Sequence, residues 1–488
     1  MKEKEGYKVA FKATAIFGGA QVFSIIIGII KSKLVALWIG AMGFGILGLF
    51  NTAINLISSL TNLGMQSSAV REIANAHGQN DEVLLSKTIK AINRWVWFTG
   101  LIGVLLTISL SSLISHWLFG NNKYIVSIIF LSTVVLLMGI WNQQSAILQG
   151  TRNLKLLVKA GIFGSLAAFV CSVPIFYFFR EDGIVFAIII TVISSTFITY
   201  LYANKVKLVK VDQSAKESFY IGLNAVKLGI AMSITGIVSS LIEFILKSFI
   251  TTLGGVQDVG LYAAGWTINA HYLGLVFTAM AKDYYPRLSQ KSSDNIALNK
   301  MVNEQAEIAI LILAPMIILM LVFISFFVNL LYSQEFLAAN DMIKWLLIGS
   351  FIKAGSWSIS FVFLAKGNTK IFLFNELGIS CVTILSYMGG YYFFGLDGLG
   401  YAFTFIYTLY FLWVAIVADK MYKIKYTSIF WKIFFGLLMA ILIFPIGEFF
   451  WNAKYKTGCL LIAIISFYCL YELNRKIGLR SVFNYRRK

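Results

Sequence analysis

Charged residues, prolines and cysteines are scarce in this 488-residue chain. Only 13% of its residues are charged, against about 25% in soluble domains, whereas 58% are hydrophobic. The four prolines leave intact the apolar runs of about 20 residues that recur along the sequence, and each run is long enough to span a bilayer as a helix. This composition excludes a soluble domain and predicts an all-α polytopic membrane protein.

Motifs that bind metals or nucleotides are also absent from the sequence. The four cysteines lie in apolar segments without the spacing of metal ligands, and the three histidines are isolated from one another. There is no Walker loop and no dinucleotide fingerprint. We therefore expect no metal, no cofactor and no ATP-driven transport by this chain alone.

The charge that is present is mostly basic and regularly placed. Lys and Arg number 41 against 22 Asp and Glu, which gives a formal net charge of +19. Most of the basic residues lie at the amino terminus and in alternate connections between apolar segments, which is the positive-inside pattern. This pattern predicts that both termini are cytoplasmic. Because topology explains most of the charge, we expect no nucleic-acid partner.

The apolar segments predict about fourteen spans, with two lobes of six helices followed by two C-terminal helices. We assign residues 1–204 to an N-terminal lobe and residues 205–226 to a cytoplasmic linker. Residues 227–418 form the predicted C-terminal lobe, and residues 419–488 hold spans thirteen and fourteen and a basic cytoplasmic tail.

A weak internal repeat supports two lobes of the same orientation, which is a parallel repeat about an axis along the membrane normal. Glycines 40, 45 and 48 match Gly255, Gly260 and Ala263 at an offset of 215 residues. The sequence further pairs Lys33 with Lys247 at an offset of 214, and Arg71 with Arg287 at an offset of 216.

Four lysines interrupt apolar segments: Lys31, Lys33, Lys247 and Lys353. A charge at membrane depth costs at least about 2.5 kcal/mol, so it usually faces a cavity, a partner or a substrate. Lys31 and Lys33 are two residues apart on a helix and cannot share a face. We predict that Lys33, Lys247 and Lys353 line a central cavity and bind an anionic substrate, whereas Lys31 either snorkels to the interface or contacts a neighbouring helix.

Other charged residues are candidates for the cavity mouth and for ion coupling. Arg71, Arg152 and Arg287 lie at predicted cytoplasmic helix ends, where they either anchor the helices or form a ring that binds phosphate. The candidates for ion coupling are the carboxylates Glu243, Glu376 and Asp283. Glu243 lies four residues before Lys247, so the two form either an intrahelical pair or a protonation switch, and Asp283 has the alternative of pairing with Arg287.

Polar and aromatic side chains within the spans have two interpretations. Asn55, Asn142, Gln143 and Gln144 either hydrogen-bond sugar hydroxyls or tie helices together. Trp141, Trp266 and Trp357 are deep enough in their spans to stack on a sugar, although most aromatic residues of such a chain face lipid.

Several loose motifs follow one another in a specific order. They are the Gly-rich turn after Lys33, the segment Gly64–Ala74, Leu-Gln-Gly-Thr-Arg at 148–152, Tyr-Tyr-Pro-Arg-Leu-Ser at 284–289, and the stretch from Lys353-Ala354-Gly355 to Glu376. In these motifs the chain resembles the Wzx-type lipid-linked oligosaccharide translocases, the O-antigen flippases of the MOP superfamily. Spans thirteen and fourteen lie outside the matched region and are more like those of the lipid II flippases.

The resemblance implies a V-shaped pair of lobes that alternates between inward-open and outward-open states. The implied substrate is an undecaprenyl-pyrophosphate-linked oligosaccharide, which crosses the bacterial inner membrane for use by a polysaccharide polymerase, with a chain-length regulator as a further partner. Coupling to a proton or sodium gradient is also implied.

Two alternatives remain open from the sequence. A multidrug or cation antiporter of the same superfamily would need an acidic and aromatic site, and here the buried lysines outnumber the buried acids. A membrane glycan polymerase or ligase would need a large extracytoplasmic loop, and the predicted outer connections are short.

Overall fold

A computed structural model describes the backbone of residues 2–450 and 454–477. It describes their side chains except at 2–22, 224–225, 227–228, 231–232, 271, 282, 369–374, 445–450, 454–457 and 477. The end of the predicted basic tail, 478–488, therefore lies outside the described residues. The described residues form fifteen α-helices: α1 Lys2–Thr61, α2 Met65–Gly78, α3 Glu82–Ser109, α4 Ser111–Phe119, α5 Ile125–Gly150, α6 Leu154–Phe179, α7 Ile184–Ala203, α8 Ala215–Thr267, α9 Gly274–Gln290, α10 Asn295–Val322, α11 Ile324–Leu331, α12 Asn340–Ala365, α13 Thr369–Tyr422, α14 Ser428–Phe450 and α15 Lys454–Ile477.

The helices are long and apolar enough to cross a membrane many times. Within the described residues, nine continuous helical segments have the length and hydropathy of a membrane span. Four of them are broken in the middle and hold two spans each, and Ser428–Phe444 is a further, shorter apolar helix. These segments accommodate the fourteen predicted spans and confirm the all-α polytopic fold.

Helices α1 and α8 each contain one residue with a left-handed backbone. Gly40 has φ 62° and ψ −169°, and Gly255 has φ 86° and ψ 178°. Only glycine adopts such a conformation readily, because it has no Cβ. The two breaks are 215 residues apart and nearly identical, so the weak repeat of the sequence is a structural repeat.

The same offset recurs along the rest of both halves. Arg152 and Gly367, which follow α5 and α12, both have a positive φ, and so do Arg180 and Gly395 at the next break. Helices α5 and α12 each contain 26 residues. The prediction of two six-helix lobes in parallel repeat, followed by two C-terminal helices, is confirmed.

The repeat corrects the predicted pairing of Lys33 with Lys247. The Lys33 amine donates a hydrogen bond to the carbonyl of Tyr332. At an offset of 215, the equivalent contact joins the Ser248 hydroxyl to the carbonyl of Trp117, at 2.6 Å. The counterpart of Lys33 is therefore Ser248. Lys247 lies one residue earlier, which is about 100° of rotation around a helix, so the two lysines are not equivalent.

The chain divides into two compact units. Unit 1 contains residues 1–260 and 331–333, and unit 2 contains residues 261–330 and 334–488. In this conformation the first part of α8 belongs to unit 1. The lobe boundary at residues 205–226 stays a prediction, because compactness in one state does not define which helices move together.

Within unit 1, α1 and α8 cross at a reciprocal glycine contact. A Cβ on Gly45 would lie 2.0 Å from the carbonyl oxygen of Val256, and a Cβ on Gly260 would lie 1.9 Å from that of Ala41. The two contacts are related by the 215-residue repeat. Any side chain at either glycine would force the two helices apart.

Unit 2 is built around α10 and α12. Ile310, Leu313, Leu346 and Phe351 are fully buried there. The last helix belongs to the same unit, because the Lys476 amine bonds the buried Glu307 carboxylate of α10 at 2.5 Å. The two C-terminal helices therefore have a packed position in the fold.

We expect Gly260→Ala to lower the melting temperature of the purified protein, because overpacking of a tight contact costs about 1–3 kcal/mol. Gly236→Ala is the matched control in the same helix, since a Cβ there would meet nothing within 4 Å. Differential scanning fluorimetry in detergent measures both. Equal melting temperatures for the two variants would contradict the crossing contact.

Candidate functional site

Lys247 is buried in unit 1 and holds three acceptors. Its amine lies 2.7 Å from Glu243 Oε1, 2.8 Å from Thr52 Oγ1 and 3.4 Å from the Gly48 carbonyl. The lysine side chain is 7% exposed, and that of Glu243 is 39% exposed. The intrahelical pair thus forms, and α1 completes it. In this conformation the charge of Lys247 is neutralised within the protein.

Lys31 and Lys33 also have partners within unit 1. The Lys31 amine donates to Thr191 Oγ1 of α7 at 3.0 Å, and the Lys31 side chain is half-buried. Of the two alternatives for Lys31, this geometry supports contact with a neighbouring helix and not snorkelling, because a hydroxyl within the helix bundle accepts its hydrogen bond. Lys33 is held by the backbone of the fully buried Tyr332.

Lys353 of α12 has a different environment, in unit 2. Its amine lies 5.0 Å from the ring centroid of Tyr407 and 5.5 Å from that of Phe277. Trp357, one turn along α12, packs on Phe277 with a centroid separation of 5.7 Å. Across the described parts of the chain, the Lys353 amine makes no hydrogen bond and no ion pair. Ring faces stabilise its charge without occupying its three N–H donors.

The carboxylates Asp283 and Glu376 also lie in unit 2 and differ in pairing. Asp283 Oδ2 lies 2.5 Å from Arg287 Nη2, and both side chains are more than half exposed. This geometry supports the alternative in which Asp283 pairs with Arg287. Glu376 is half-buried near Tyr410 and has no ion pair within the described residues.

Arg71 and Arg152 are both exposed and lie at the same end of unit 1. Helix α2, which carries Arg71, packs tightly on the end of α5, because a Cβ on Gly150 would lie 2.6 Å from the Ile73 side chain. Arg152 follows two residues later and has φ 57°. The repeat places Gly367 at the equivalent position, so an arginine stands where the backbone favours glycine.

Sequence reasoning missed the way in which α3 holds the linker. Arg94 Nη1 donates to the carbonyls of Gln213 and Ser214 at 3.0 and 2.8 Å, and Lys90 donates to Val211 at 2.8 Å. Lys87 forms an ion pair of 2.9 Å with Glu217. These contacts join charged side chains mostly to backbone carbonyls, which leave no signal in a sequence.

The linker also closes one side of an open pocket of about 770 Å³ in unit 1. Lys90, Lys207 and Lys210 line it together with the amides of Gln143 and Gln144, and no acid is among its lining residues. The pocket can accept an anion with polar substituents. The basic residues of this pocket were visible in the sequence, but the position of the Gln143 and Gln144 amides in its lining was not.

A family model for a polysaccharide biosynthesis protein matches residues 36–341 of the chain. Among curated proteins, the lipid III flippase of Escherichia coli K12 is 21% identical over 374 residues, which cover 75% of this chain and 88% of that protein. The Shigella flexneri protein of the same name matches equally well.

Two solved structures share the fold. The inward closed lipid II flippase MurJ aligns with a TM-score of 0.71 at 14% identity, over 95% of this chain and 99% of that one. An inward-facing multidrug resistance MATE transporter of the MOP superfamily aligns with a TM-score of 0.64 at 17% identity, over 84% of this chain and 99% of that one. Because the family model covers more than half of the sequence, the chain belongs to the polysaccharide biosynthesis protein family.

Proposed function

We propose that this protein flips undecaprenyl-pyrophosphate-linked oligosaccharide units across the bacterial inner membrane by alternating access. The product would serve synthesis of O-antigen or a related surface polysaccharide. Lys353 is the observation that carries the proposal, because it is a cation within a membrane span with no acceptor among the described residues. The lipid III flippase is similar to this chain over 88% of its own length. That similarity supports a lipid-linked glycan as the substrate class.

The chemistry of such a substrate requires buried cations. A pyrophosphate loses its hydration when it leaves the headgroup region, and fixed positive charge offsets that loss. Lys353 provides three N–H donors that are free among the described residues. Its amine is surrounded by aromatic rings and not by a carboxylate. In our proposal Lys353 binds the pyrophosphate directly, and Lys33 and Lys247 bind it in other stages of the cycle.

The Glu243–Lys247 pair is the proposed coupling element. Protonation of Glu243 would leave Lys247 without its counter-ion and make its amine available to the substrate, while the partly exposed carboxylate can exchange protons with water. Glu376 and Asp283 remain further candidates for coupling, Glu376 because it is half-buried and unpaired among the described residues.

Arg71, Arg152 and Arg287 are the proposed cytoplasmic mouth. A left-handed backbone costs a residue with a Cβ about 1–2 kcal/mol, so the side chain of Arg152 has a role that glycine lacks. Arginine binds phosphate oxygens in a bidentate manner, which suits the collection of a pyrophosphate headgroup. In our proposal this end of the protein and both termini lie in the cytoplasm, which the positive-inside pattern supports.

We further propose that the protein is a transporter and not an enzyme, and that it delivers its substrate to a polymerase and a chain-length regulator. An antiporter of cationic drugs is less well supported. Such an antiporter would need free carboxylates, whereas two of the three candidate carboxylates, Glu243 and Asp283, are paired with Lys247 and Arg287, and Glu376 alone of the three is unpaired among the described residues.

Lys353→Ala is expected to abolish surface glycan in cells that depend on this protein and to raise the level of lipid-linked glycan at least about tenfold, because export would stop while synthesis continues. Lys353→Arg should keep partial export, since it keeps the charge. Glycan blots and quantified lipid extracts measure both effects. The matched control is Lys123→Ala, which removes an exposed lysine that also lies over a tyrosine ring, at 5.8 Å. Normal export by Lys353→Ala at normal protein level would overturn the proposed role.

The Glu243–Lys247 pair is tested by a double-mutant cycle. Glu243→Gln alone should lower the melting temperature, because it leaves the buried Lys247 without its counter-ion. Lys247→Met together with Glu243→Gln should restore the melting temperature but not glycan export. Export by the stable double variant would show that the pair is only structural.

A further inference from the structure

Unit 1 contains a cavity of about 230 Å³ between three of its helices. Each helix contributes residues from one face, mostly at spacings of three, four or seven. The lining residues are Asn51, Ile54 and Asn55 of α1, Val134, Met138 and Trp141 of α5, and Ile188, Val192 and Ser195 of α7. All nine lie within apolar segments that are long enough to span a membrane.

Four of the lining side chains are polar and have no partner. Within the described residues, the side chains of Asn51, Asn55, Trp141 and Ser195 make no hydrogen bond to the protein. Elsewhere in unit 1, the buried Thr61 hydroxyl bonds a carbonyl of its own helix, whereas the buried amides of Gln143 and Gln213 each have an atom without a partner among the described residues. Polar groups at membrane depth that lack a protein partner must face water or a polar ligand.

A positive charge lies beside the cavity. Thr191 is on the same face of α7 as Ile188, Val192 and Ser195, and it accepts the hydrogen bond of the Lys31 amine. The Thr191 hydroxyl donates in turn to the carbonyl of Ala187 at 2.7 Å. The lysine is therefore held next to the helix face that lines the cavity, although neither Lys31 nor Thr191 is itself a lining residue.

We propose that this cavity is a sugar-binding subsite for the lipid-linked glycan, with Trp141 stacking on one sugar ring and Asn51, Asn55 and Ser195 bonding its hydroxyls. This inference rests on the proposed function. An indole offers an apolar face to ring carbons, and a carboxamide offers both donors and an acceptor to hydroxyls. The cavity is smaller than the pockets of about 300–1,000 Å³ that enclose drug-sized ligands, so it fits a single sugar and not a whole oligosaccharide.

The subsite predicts a preference for the glycosylated lipid. The probes are undecaprenyl-pyrophosphate-linked glycan extracted from cells that lack the protein, and undecaprenyl pyrophosphate without sugar. We expect the purified wild-type protein to bind the glycosylated lipid about tenfold more tightly, which corresponds to about 1.4 kcal/mol. Trp141→Ala and Asn55→Ala should each remove most of that preference and leave the affinity for undecaprenyl pyrophosphate unchanged.

Two controls separate the possible failures. Trp97→Ala removes a tryptophan that is 47% exposed and lies away from the cavity, and it should keep the preference. Lys353→Ala should weaken binding of both lipids. If the wild-type protein binds neither lipid, the proposed function is wrong. If it binds both equally, or if Trp141→Ala and Asn55→Ala keep the preference, the subsite is wrong while the proposed function stands. Should Trp141→Ala fail to fold, Asn55→Ala and Ser195→Ala at exposed or half-buried positions give the same test.

Discussion

The desolvation of positive charge is the constraint on which the interior of this protein depends. Hydrocarbon offers no water to an ammonium group, so each lysine within a span must find an acceptor, a cavity or a ring. Lys31 uses a threonine hydroxyl, Lys33 a backbone carbonyl and Lys247 a carboxylate with a second hydroxyl. Among the residues that the structure describes, the Lys353 amine meets aromatic faces and no acceptor. A lysine that is bonded to the protein stabilises the structure, whereas a lysine that meets only rings is available to a substrate.

The internal repeat explains how the scaffold arises from a chain with so few polar signals. The left-handed glycines Gly40 and Gly255 break their helices at equivalent positions, and Gly45 and Gly260 let the same two helices cross in contact. Helices that meet at glycine bring their backbones close together without large side chains. Functional groups then differ between the halves, since Lys33 is matched by Ser248 and Lys247 by Ser32. A symmetric scaffold thus carries an asymmetric set of charges.

Much of the fold could be predicted from the sequence, because hydropathy, basic connections and recurring glycines report directly on spans and repeats. Gly40 and Gly255 were found at the correct offset for this reason. The lysines and the partner Glu243 of Lys247 were found, because they lie close together in the sequence. The other partners were not, since Thr52, Thr191 and the Tyr332 carbonyl come from distant segments and belong to common residue types. An offset error of one residue made Lys33 and Lys247 seem equivalent, and one residue is enough to turn a helical side chain to another face. The unpaired lining of the cavity, such as Asn51 and Ser195, depends on helix rotation, which the sequence does not specify.

The proposed function rests on passage of a pyrophosphate headgroup through the protein, and reconstitution measures that passage directly. Purified protein in liposomes would be given a fluorescent undecaprenyl-pyrophosphate-linked glycan, and a membrane-impermeant quencher would report the fraction exposed on the outer leaflet over time. The account predicts rapid exchange between leaflets with the wild-type protein, and only the slow rate of protein-free liposomes with Lys353→Ala. Exchange at the protein-free rate with folded wild-type protein, under both a proton and a sodium gradient, would contradict it.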